Sequence, residues 1–427
     1  MTDPPGRCYH LAVPSEDGSP TAGATPPRRA TPDVAPEGRS IPGVAPEVTL
    51  PARRVAELEA RGGSGPLAAG VRVAAVLALL YAFFLGLDLM GLSFTLFGKG
   101  LAEDLMSRTA NPFVGLLVGI LATSLVQSSS TTTSMTVALV AAGAISLEGA
   151  IPIVMGANIG TSVTNTLVSL GHVTRREEFR RAFAGATLHD FFNLLTVLVL
   201  FPVELATGYL ARTASAFERV LEGGGGAELL NPLKEVVRPV AEGVVALTRD
   251  SGWLTLLVGI VLLFLALKLL VDLLKTLLSS RVESILHRTL FRSALAAIGA
   301  GAAMTVMVQS SSITTSIMVP LVGAGVVTLE QLFPLTLGAN LGTTVTAMLA
   351  ALSTGDPTAI SVSLAHVLFN LTGAVLLYPL PPVRKIPLAM ARGLGAIAAK
   401  RRWLAAVYVA LVFFALPIAL LFLTGGL

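Results

Sequence analysis

The sequence predicts an all-α polytopic membrane protein, built from two inverted repeats that each contain a re-entrant or broken-helix hairpin. The composition supports this, because 53% of the 427 residues are hydrophobic and only 13% are charged, whereas soluble domains carry about 25% charged residues. Apolar runs at 73–97, 253–278 and 403–423 match the roughly 20 residues that cross a membrane. In addition, the polar motif Gln-Ser-Ser-Ser occurs twice within apolar sequence, and polar backbone survives at membrane depth only inside protein or beside a cavity.

Charge and cysteine content limit the alternatives. The net charge is +4, and the basic residues lie at the ends of apolar runs, which is typical of cytoplasmic loops and not of a nucleic-acid-binding surface. The single cysteine, Cys8, excludes an intrachain disulfide. We therefore expect a multi-pass protein of the plasma membrane that contacts the lipid bilayer and binds no nucleic acid. The sequence does not decide between a monomer and a homodimer.

The chain divides into four predicted segments. Residues 1–65 lack apolar periodicity and are predicted to be a disordered tail, which the arginines before the first apolar run place in the cytoplasm. Residues 66–210 are predicted to form the first membrane repeat. Residues 211–251 carry mixed charges and are predicted to be an external connecting loop, and residues 252–427 are predicted to form the second repeat and a final span.

The repeat is visible when the chain is compared with itself. Residues 123–167 align with 305–349 without a gap, and more than half of the aligned positions are identical. The matched landmarks are Gln127, Ser128, Ser129 and Ser130 with Gln309, Ser310, Ser311 and Ser312, followed by Gly-Ala-Asn-x-Gly-Thr at 156–161 and 338–343. Internal repeats of this kind are typical of membrane transporters, whose sites lie at the repeat interface.

The two Gln-Ser-Ser-Ser motifs suit an anion. Three serines at a helix start supply hydroxyl groups and unpaired backbone N–H groups, and the helix dipole adds partial positive charge. The glutamines add amide donors and acceptors. Neither motif contains arginine or lysine, which favours a site that releases its anion as readily as it binds it. Together the two motifs are predicted to bind a tetrahedral oxyanion.

The Gly-Ala-Asn-x-Gly-Thr segments suit a hard cation instead. Their side chains offer neutral oxygen atoms, and unwound carbonyls in such folds bind sodium. The candidate sodium-binding residues are Asn158, Thr161, Ser162 and Thr164 in the first copy and Asn340, Thr343, Thr344 and Thr346 in the second. The alternative is that these small and hydroxyl residues only allow close helix packing.

Charged residues within apolar sequence are functional candidates by default. Asp190 is matched by Val367 in the second copy, and its carboxylate is suited to holding a cation or carrying a proton. Lys268 and Asp272 are four residues apart within an apolar run, so they form either a functional pair or a mutually neutralised structural pair.

The sequence favours a transporter over an enzyme. It contains no nucleophile beside a base and no metal-ligand spacing, so we expect no catalytic residue and no cofactor, with Na⁺ as the coupling ion and the only metal. His189 and His366 occur in both copies and are interpreted as structural residues.

These residues resemble the type II sodium–phosphate cotransporters, a family of two inverted repeats. The resemblance is most specific at 160–167, 179–193 and 335–344, and it suggests a bacterial member. It implies symport of sodium with inorganic phosphate, with Ser128–Ser130 and Ser310–Ser312 contacting the phosphate. Ala184, Ala186 and Asp190 are similar to the arrangement of members that move net charge, which implies electrogenic transport.

The resemblance also implies particular sodium ligands. In the second copy they are Ser310, Thr343 and Thr346, together with the carbonyl of Ala339, where relatives have serine. In the first copy His172 stands where relatives usually have glutamine, and it ligates sodium only when neutral.

Other functions remain open at this point. Hydroxyl donors do not discriminate strongly among tetrahedral anions, so sulfate or arsenate is an alternative substrate. Proton coupling through Asp190 is an alternative to sodium coupling. A regulatory membrane protein that binds phosphate without moving it is a third possibility.

Overall fold

The computed structural model describes residues 66–223, 231–289 and 293–425. The predicted tail at 1–65 lies outside the described residues, which contain helices and no strand. The helices are α1 (Pro66–Phe97), α2 (Lys99–Thr109), α3 (Pro112–Val126), α4 (Ser129–Ala141), α5 (Leu147–Gly160), α6 (Val163–Ser169), α7 (Arg176–Thr207), α8 (Tyr209–Gly223), α9 (Asn231–Leu247), α10 (Gly252–Thr289), α11 (Ala294–Val308), α12 (Ser311–Ala324), α13 (Leu329–Thr354), α14 (Pro357–Leu377), α15 (Pro381–Lys400), α16 (Trp403–Ala410) and α17 (Leu416–Leu423).

Six of the described helical segments are long and apolar enough to cross a membrane. They are Gly70–Phe97, Arg176–Thr207, Gly252–Leu274, Leu329–Thr354, Pro357–Leu377 and Trp403–Leu423. Two of them contain the apolar runs 73–97 and 403–423 noted in the sequence, and Gly252–Leu274 covers most of the run 253–278. The prediction of an all-α polytopic membrane protein is therefore confirmed.

The four helices α3, α4, α11 and α12 are too short to be complete spans, and they carry the two Gln-Ser-Ser-Ser motifs at their junctions. The α3–α4 junction lies at Gln127–Ser128 and the α11–α12 junction at Gln309–Ser310. The two junctions occupy equivalent positions in the aligned copies, so each copy contains a broken helix at its motif.

Close helix packing supports each broken helix. Helix α3 lies against α5, and α11 lies against α13, at glycines of the repeated sequence. A Cβ atom at Gly160 would lie 2.6 Å from the carbonyl oxygen of Ile120, and one at Gly342 would lie 2.7 Å from that of Ala302. Such distances are closer than a side chain tolerates, so glycine is required for this approach.

The segment predicted as a connecting loop, 211–251, contains most of two helices, α8 and α9. Helix α9 buries Val237 and Ala241 against Leu85 and Leu89 of α1. Helix α8 contacts α14, where the Tyr209 hydroxyl lies 3.0 Å from the hydroxyl oxygen of Thr372. The connection is thus packed onto the membrane helices, while its position on the external side stays a prediction.

Two glycines of α11 give a test of this packing. In Gly301→Ala the new Cβ would lie 3.0 Å from the Leu335 carbonyl carbon and the Ala339 nitrogen, whereas in Gly299→Ala it would meet no atom within 4 Å. We expect G301A to destabilise the protein by about 1–3 kcal/mol because the helices must separate. G299A is expected to be neutral or slightly stabilising, since alanine favours helix. Thermal unfolding in detergent measures both, and equal midpoints would contradict the packing argument.

Candidate substrate and cation site

The two motif glutamines end α3 and α11 in the left-handed backbone region, with φ of 59° at Gln127 and 56° at Gln309. The bend that follows is sharp in both copies. Thr123 Oγ1 donates to Thr132 Oγ1 at 2.9 Å, and Thr305 Oγ1 donates to Thr314 Oγ1 at 3.0 Å. Residues nine apart would lie about 13.5 Å apart along a straight helix. The chain therefore folds back on itself at each motif.

The glutamine side chains brace these bends from within. Gln127 Oε1 accepts a hydrogen bond from Thr164 Oγ1 at 2.8 Å, and Gln309 Oε1 accepts one from Thr346 Oγ1 at 2.7 Å. Each Nε2 donates to a carbonyl of its own helix, that of Ser124 or Val306. The amides that sequence analysis assigned to the anion thus first hold the backbone in place, with one N–H of each left for another partner.

The serines after each glutamine begin the next helix. Ser128 and Ser310 are the N-cap residues of α4 and α12, and their hydroxyl oxygens accept from the third backbone N–H, at 3.2 Å and 3.4 Å. The four following serines, Ser129, Ser130, Ser311 and Ser312, are buried. Backbone N–H groups in a first helical turn have no partner within the helix, so both motifs present donors at a positive helix end.

A cavity of about 650 Å³ joins the two motifs. Ser128 and Thr131 line it from the first copy, and Gln309 and Ser310 line it from the second. The opposite wall is α10, which contributes apolar residues together with Lys268 and Asp272. The two motifs therefore face one space.

The location of Lys268 and Asp272 bears on the interpretation left open by the sequence. Both side chains are exposed and line the same cavity as the serines. A pair that only neutralises itself between packed helices would be buried. Both charges border the space in front of the motifs and contribute to its electrostatic potential.

The predicted cation residue Asp190 lies in α7 and is 3% exposed. Its Oδ2 accepts a hydrogen bond from the Tyr408 hydroxyl at 2.8 Å. The Ser162 hydroxyl lies near the same carboxylate, but without hydrogen-bond geometry. Asp190 Oδ1 and Ser162 Oγ are both buried and have no partner among the described residues. Two unpaired buried oxygen atoms side by side are costly unless a donor or a cation satisfies them.

The repeated asparagines are linked across the two copies. His189 Nε2 donates to Asn340 Oδ1 at 2.5 Å, and Asn340 Nδ2 donates to Asn193 Oδ1 at 2.7 Å. Asn193 Nδ2 then donates to the Asn158 carbonyl at 2.7 Å. This chain of hydrogen bonds is consistent with a structural role for His189 and ties α5, α7 and α13 together.

The second copy does not reproduce this chain. Both ring nitrogens of His366, and Oδ1 of Asn370, are buried without a hydrogen-bond partner among the described residues. Asn370 Nδ2 donates only to the His366 carbonyl of its own helix, at 3.2 Å. The two copies therefore share their motifs, but only the histidine of the first copy, His189, has a side chain that is hydrogen-bonded to another described residue.

Another link between the copies was missed from the sequence. Asn165 Nδ2 donates to Thr315 Oγ1 at 2.8 Å, and Asn165 Oδ1 accepts from Ser316 Oγ at 2.8 Å. The second copy has Ala347 at the equivalent position. This difference was the available signal, because a buried amide in one copy needs partners that alanine does not.

The repeated threonines carry hydroxyl oxygens into the core. Thr161 Oγ1 donates to the Ala157 carbonyl at 2.9 Å, and Thr343 Oγ1 donates to the Ala339 carbonyl at 3.1 Å. The lone pairs of the two hydroxyl oxygens stay available as acceptors, whereas each carbonyl has already accepted a hydroxyl donor. Ser312 Oγ also donates to the Thr161 carbonyl at 3.4 Å, so the second motif touches the first-copy segment.

His172 lies apart from these buried groups. It ends a short 3₁₀ turn, 170–172, and its Nδ1 is 3.5 Å from Glu178 Oε2 at a half-exposed position. The predicted ligand therefore lies with the charged connecting turn that also contains Arg175.

The fold and site define an α-helical membrane protein in which duplicated polar helix breaks border one cavity beside buried oxygen groups. The model of the Na⁺/Pi-cotransporter family matches residues 82–216 and 262–419. The matched residues make up more than half of the chain, and the protein belongs to this family. The resemblance noted in the sequence is thereby confirmed, while a bacterial source stays a prediction.

Two mammalian proteins illustrate the similarity. Sodium-dependent phosphate transport protein 2A of Ovis aries is 37% identical over 427 residues, which cover 81% of this chain and 67% of the relative. Sodium-dependent phosphate transport protein 2B of Homo sapiens is 36% identical over 444 residues, covering 81% and 64%. The chain thus spans about two thirds of the length of these relatives. No solved structure matches the chain significantly.

The glutamine brace predicts a specific stability effect. Thr346→Val removes the donor to Gln309 Oε1, whereas Thr336→Val in the same helix removes only a bond to the Leu332 carbonyl of its own helix. Both threonines are buried. We expect T346V to cost about 1–3 kcal/mol because the amide oxygen loses its partner, and T336V to cost clearly less. Thermal unfolding in detergent compares them, and a larger loss for T336V would refute the brace.

Proposed function

We propose that the protein is a sodium-coupled symporter of inorganic phosphate in the plasma membrane, electrogenic and working by alternating access. The observation that carries the proposal is the cavity shared by the two Gln-Ser-Ser-Ser breaks, with two helix N-termini at one space. The names of the relatives, which describe sodium-dependent phosphate transport, support the same function. The two copies are proposed to be inverted with respect to the membrane, as in other repeat-built transporters.

The chemistry of the breaks suits a divalent oxyanion. Hydroxyl and backbone N–H donors from α4 and α12 are proposed to surround the phosphate, with Gln127 and Gln309 holding both breaks open to it. Fixed dipoles stabilise the anion without the tight grip of an arginine pair. Phosphate can then be released on one side of the membrane as readily as it is bound on the other.

Sodium is proposed to bind beside this site. Asp190 and Ser162 offer unpaired buried oxygens in the first copy, with Asn158, Thr161 and Thr164 on the same segment. Ser310, Ala339, Asn340, Thr343 and Thr346 are the proposed second-copy residues. His172 is proposed to act at most at the rim of the first-copy site, given its half-exposed position. Bound Na⁺ would neutralise the site before the anion arrives.

Energetics favour a positive coupling ion. Moving each charge against 100 mV costs about 2.3 kcal/mol, so a divalent anion entering a negative interior is opposed twice over. Co-transported Na⁺ cancels this cost and adds the energy of its own gradient. Two Na⁺ ions cancel the charge of a divalent anion, so net movement of positive charge requires a third Na⁺, which is proposed to bind with the help of Asp190, a residue that only the first copy provides.

Uptake of radioactive phosphate into proteoliposomes tests the function. We expect uptake with an inward Na⁺ gradient and little uptake when K⁺ or choline replaces Na⁺. Equal uptake in all three salts would rule out sodium coupling. Stronger competition by sulfate or arsenate than by phosphate would identify a different oxyanion as substrate, and uptake that follows a pH gradient regardless of Na⁺ would indicate proton coupling.

The cavity charges predict opposite kinetic effects. Lys268→Gln removes positive charge from the cavity and should raise the KM for phosphate about two- to fivefold, since one charge a few ångströms away in a hydrated space contributes about 1 kcal/mol. Asp272→Asn, a matched change on the same wall, should lower the KM or leave it unchanged. Both are measured as Na⁺-driven uptake at several salt concentrations. A rise in KM for D272N but not for K268Q would contradict the electrostatic role.

A further inference from the structure

We infer that Tyr408 is a positioning residue for sodium: its hydroxyl holds Asp190 Oδ2 so that Oδ1 and the Ser162 hydroxyl stay open to the ion. The inference rests on the proposed sodium coupling and adds to it a residue outside both repeats. Sequence analysis assigned no role to Tyr408.

The geometry separates the two oxygens of the carboxylate. Oδ2 receives the Tyr408 hydroxyl at 2.8 Å, whereas Oδ1 has no partner among the described residues. Ser162 Oγ, 0% exposed, is likewise unpaired and lies near the carboxylate. Tyr408 thus fixes Oδ2, whereas Oδ1 and the nearby Ser162 Oγ are both left as possible ligands of a cation.

The tyrosine itself is held in a defined orientation. Its ring makes edge contacts with Phe183 on α7 and Phe413 in the last span, with centroid distances of 6.2 Å and 5.9 Å. Residues Leu411–Ala415, just after Tyr408, form a π-helix. Such turns insert an extra residue and re-aim neighbouring side chains, often at functional sites. The last span is therefore shaped locally where it meets Asp190.

The chemistry gives the hydrogen bond a function beyond packing. A lone buried carboxylate would rotate to satisfy either oxygen, and it would meet Ser162 in a hydrogen bond that competes with the ion. A donor on Oδ2 fixes the rotation and supports the charged form. The oxygens on the Ser162 side then suit a hard cation, which takes carboxylate and hydroxyl oxygens as ligands.

The partner of Asp190 comes from the last span and not from the aligned copies. Asp190 has Val367 as its counterpart in the second copy, so the duplicated sequence supplies no matching partner for an acid. Helix α16 follows the repeats and packs against α7 through Ala405 and Phe179 in one buried cluster. The Tyr408 hydroxyl that contacts Asp190 therefore belongs to a helix outside the aligned copies.

The test compares Tyr408→Phe with Tyr209→Phe, which removes a hydroxyl bonded to Thr372 away from Asp190. In Y408F we expect the Na⁺ concentration for half-maximal phosphate uptake to rise about fivefold. The KM for phosphate at saturating Na⁺ should stay unchanged. Y209F should keep both values. Without phosphate, Na⁺-dependent thermal stabilisation of the purified protein should shift to higher Na⁺ in Y408F alone.

A mutant cycle shows whether Tyr408 acts through Asp190. The Na⁺ dependence of Asp190→Asn should be the same with and without Y408F, because the group that Tyr408 positions is already changed. If Y408F yields too little folded protein, Tyr408→His keeps a ring N–H donor and should give an intermediate shift.

The outcomes distinguish the two proposals. Wild-type uptake and thermal stability that do not respond to Na⁺ would defeat the proposed function itself. Sodium-dependent wild-type uptake together with a folded Y408F of unchanged Na⁺ dependence would overturn only the role of Tyr408. Additive effects in the mutant cycle would do the same, since they would show that the hydroxyl acts independently of Asp190.

Discussion

The structure depends on one constraint: backbone polar groups at membrane depth must be satisfied, yet an anion site there needs some of them free. The breaks at Gln127 and Gln309 meet both requirements. Each glutamine closes the preceding helix by donating to one of its carbonyls, and a serine caps the next helix. The two N-cap serines, Ser128 and Ser310, line one cavity, and a cavity lined by protein is a setting in which irregular backbone is tolerated in a membrane.

Packing keeps these breaks rigid. The glycines of the repeated segment let α5 and α13 lie directly on α3 and α11, and the threonine four residues after Gly160 or Gly342 bonds back to the motif glutamine. The same sequence element therefore sets the distance between the packed helices and orients the side-chain amide of the motif glutamine. Packing therefore accounts for the repeated glycines, and the bond to the motif glutamine accounts for the repeated threonine.

Much of this was predictable from sequence because it is repeated or strongly apolar. The membrane fold follows from composition, and the paired motifs follow from self-alignment. The rest depends on tertiary contacts that no spacing encodes. The direction of the Lys268 side chain depends on the rotation of α10 about its axis, and the orientation of Tyr408 depends on its ring contacts with Phe183 and Phe413. Conversely, His172 was assigned to sodium because it matches a family position, but its side chain lies beside the charged residue Glu178. A match in sequence does not determine how deeply a side chain is buried.

The division between repeated and unrepeated residues follows from the shape of the ligands. A tetrahedral anion has oxygens on all sides, so two similar sets of donors surround it better than one, and duplication supplies them. A cation next to a single carboxylate needs no second copy of that carboxylate, because two buried acids would repel each other without a second ion. Asp190 therefore occurs once, and its partner Tyr408 comes from the last span, which is predicted to follow the second repeat. In the proposed mechanism, charge movement is in this way separable from phosphate recognition, since the residues proposed to set it, Asp190 and Tyr408, have no counterpart in the second copy.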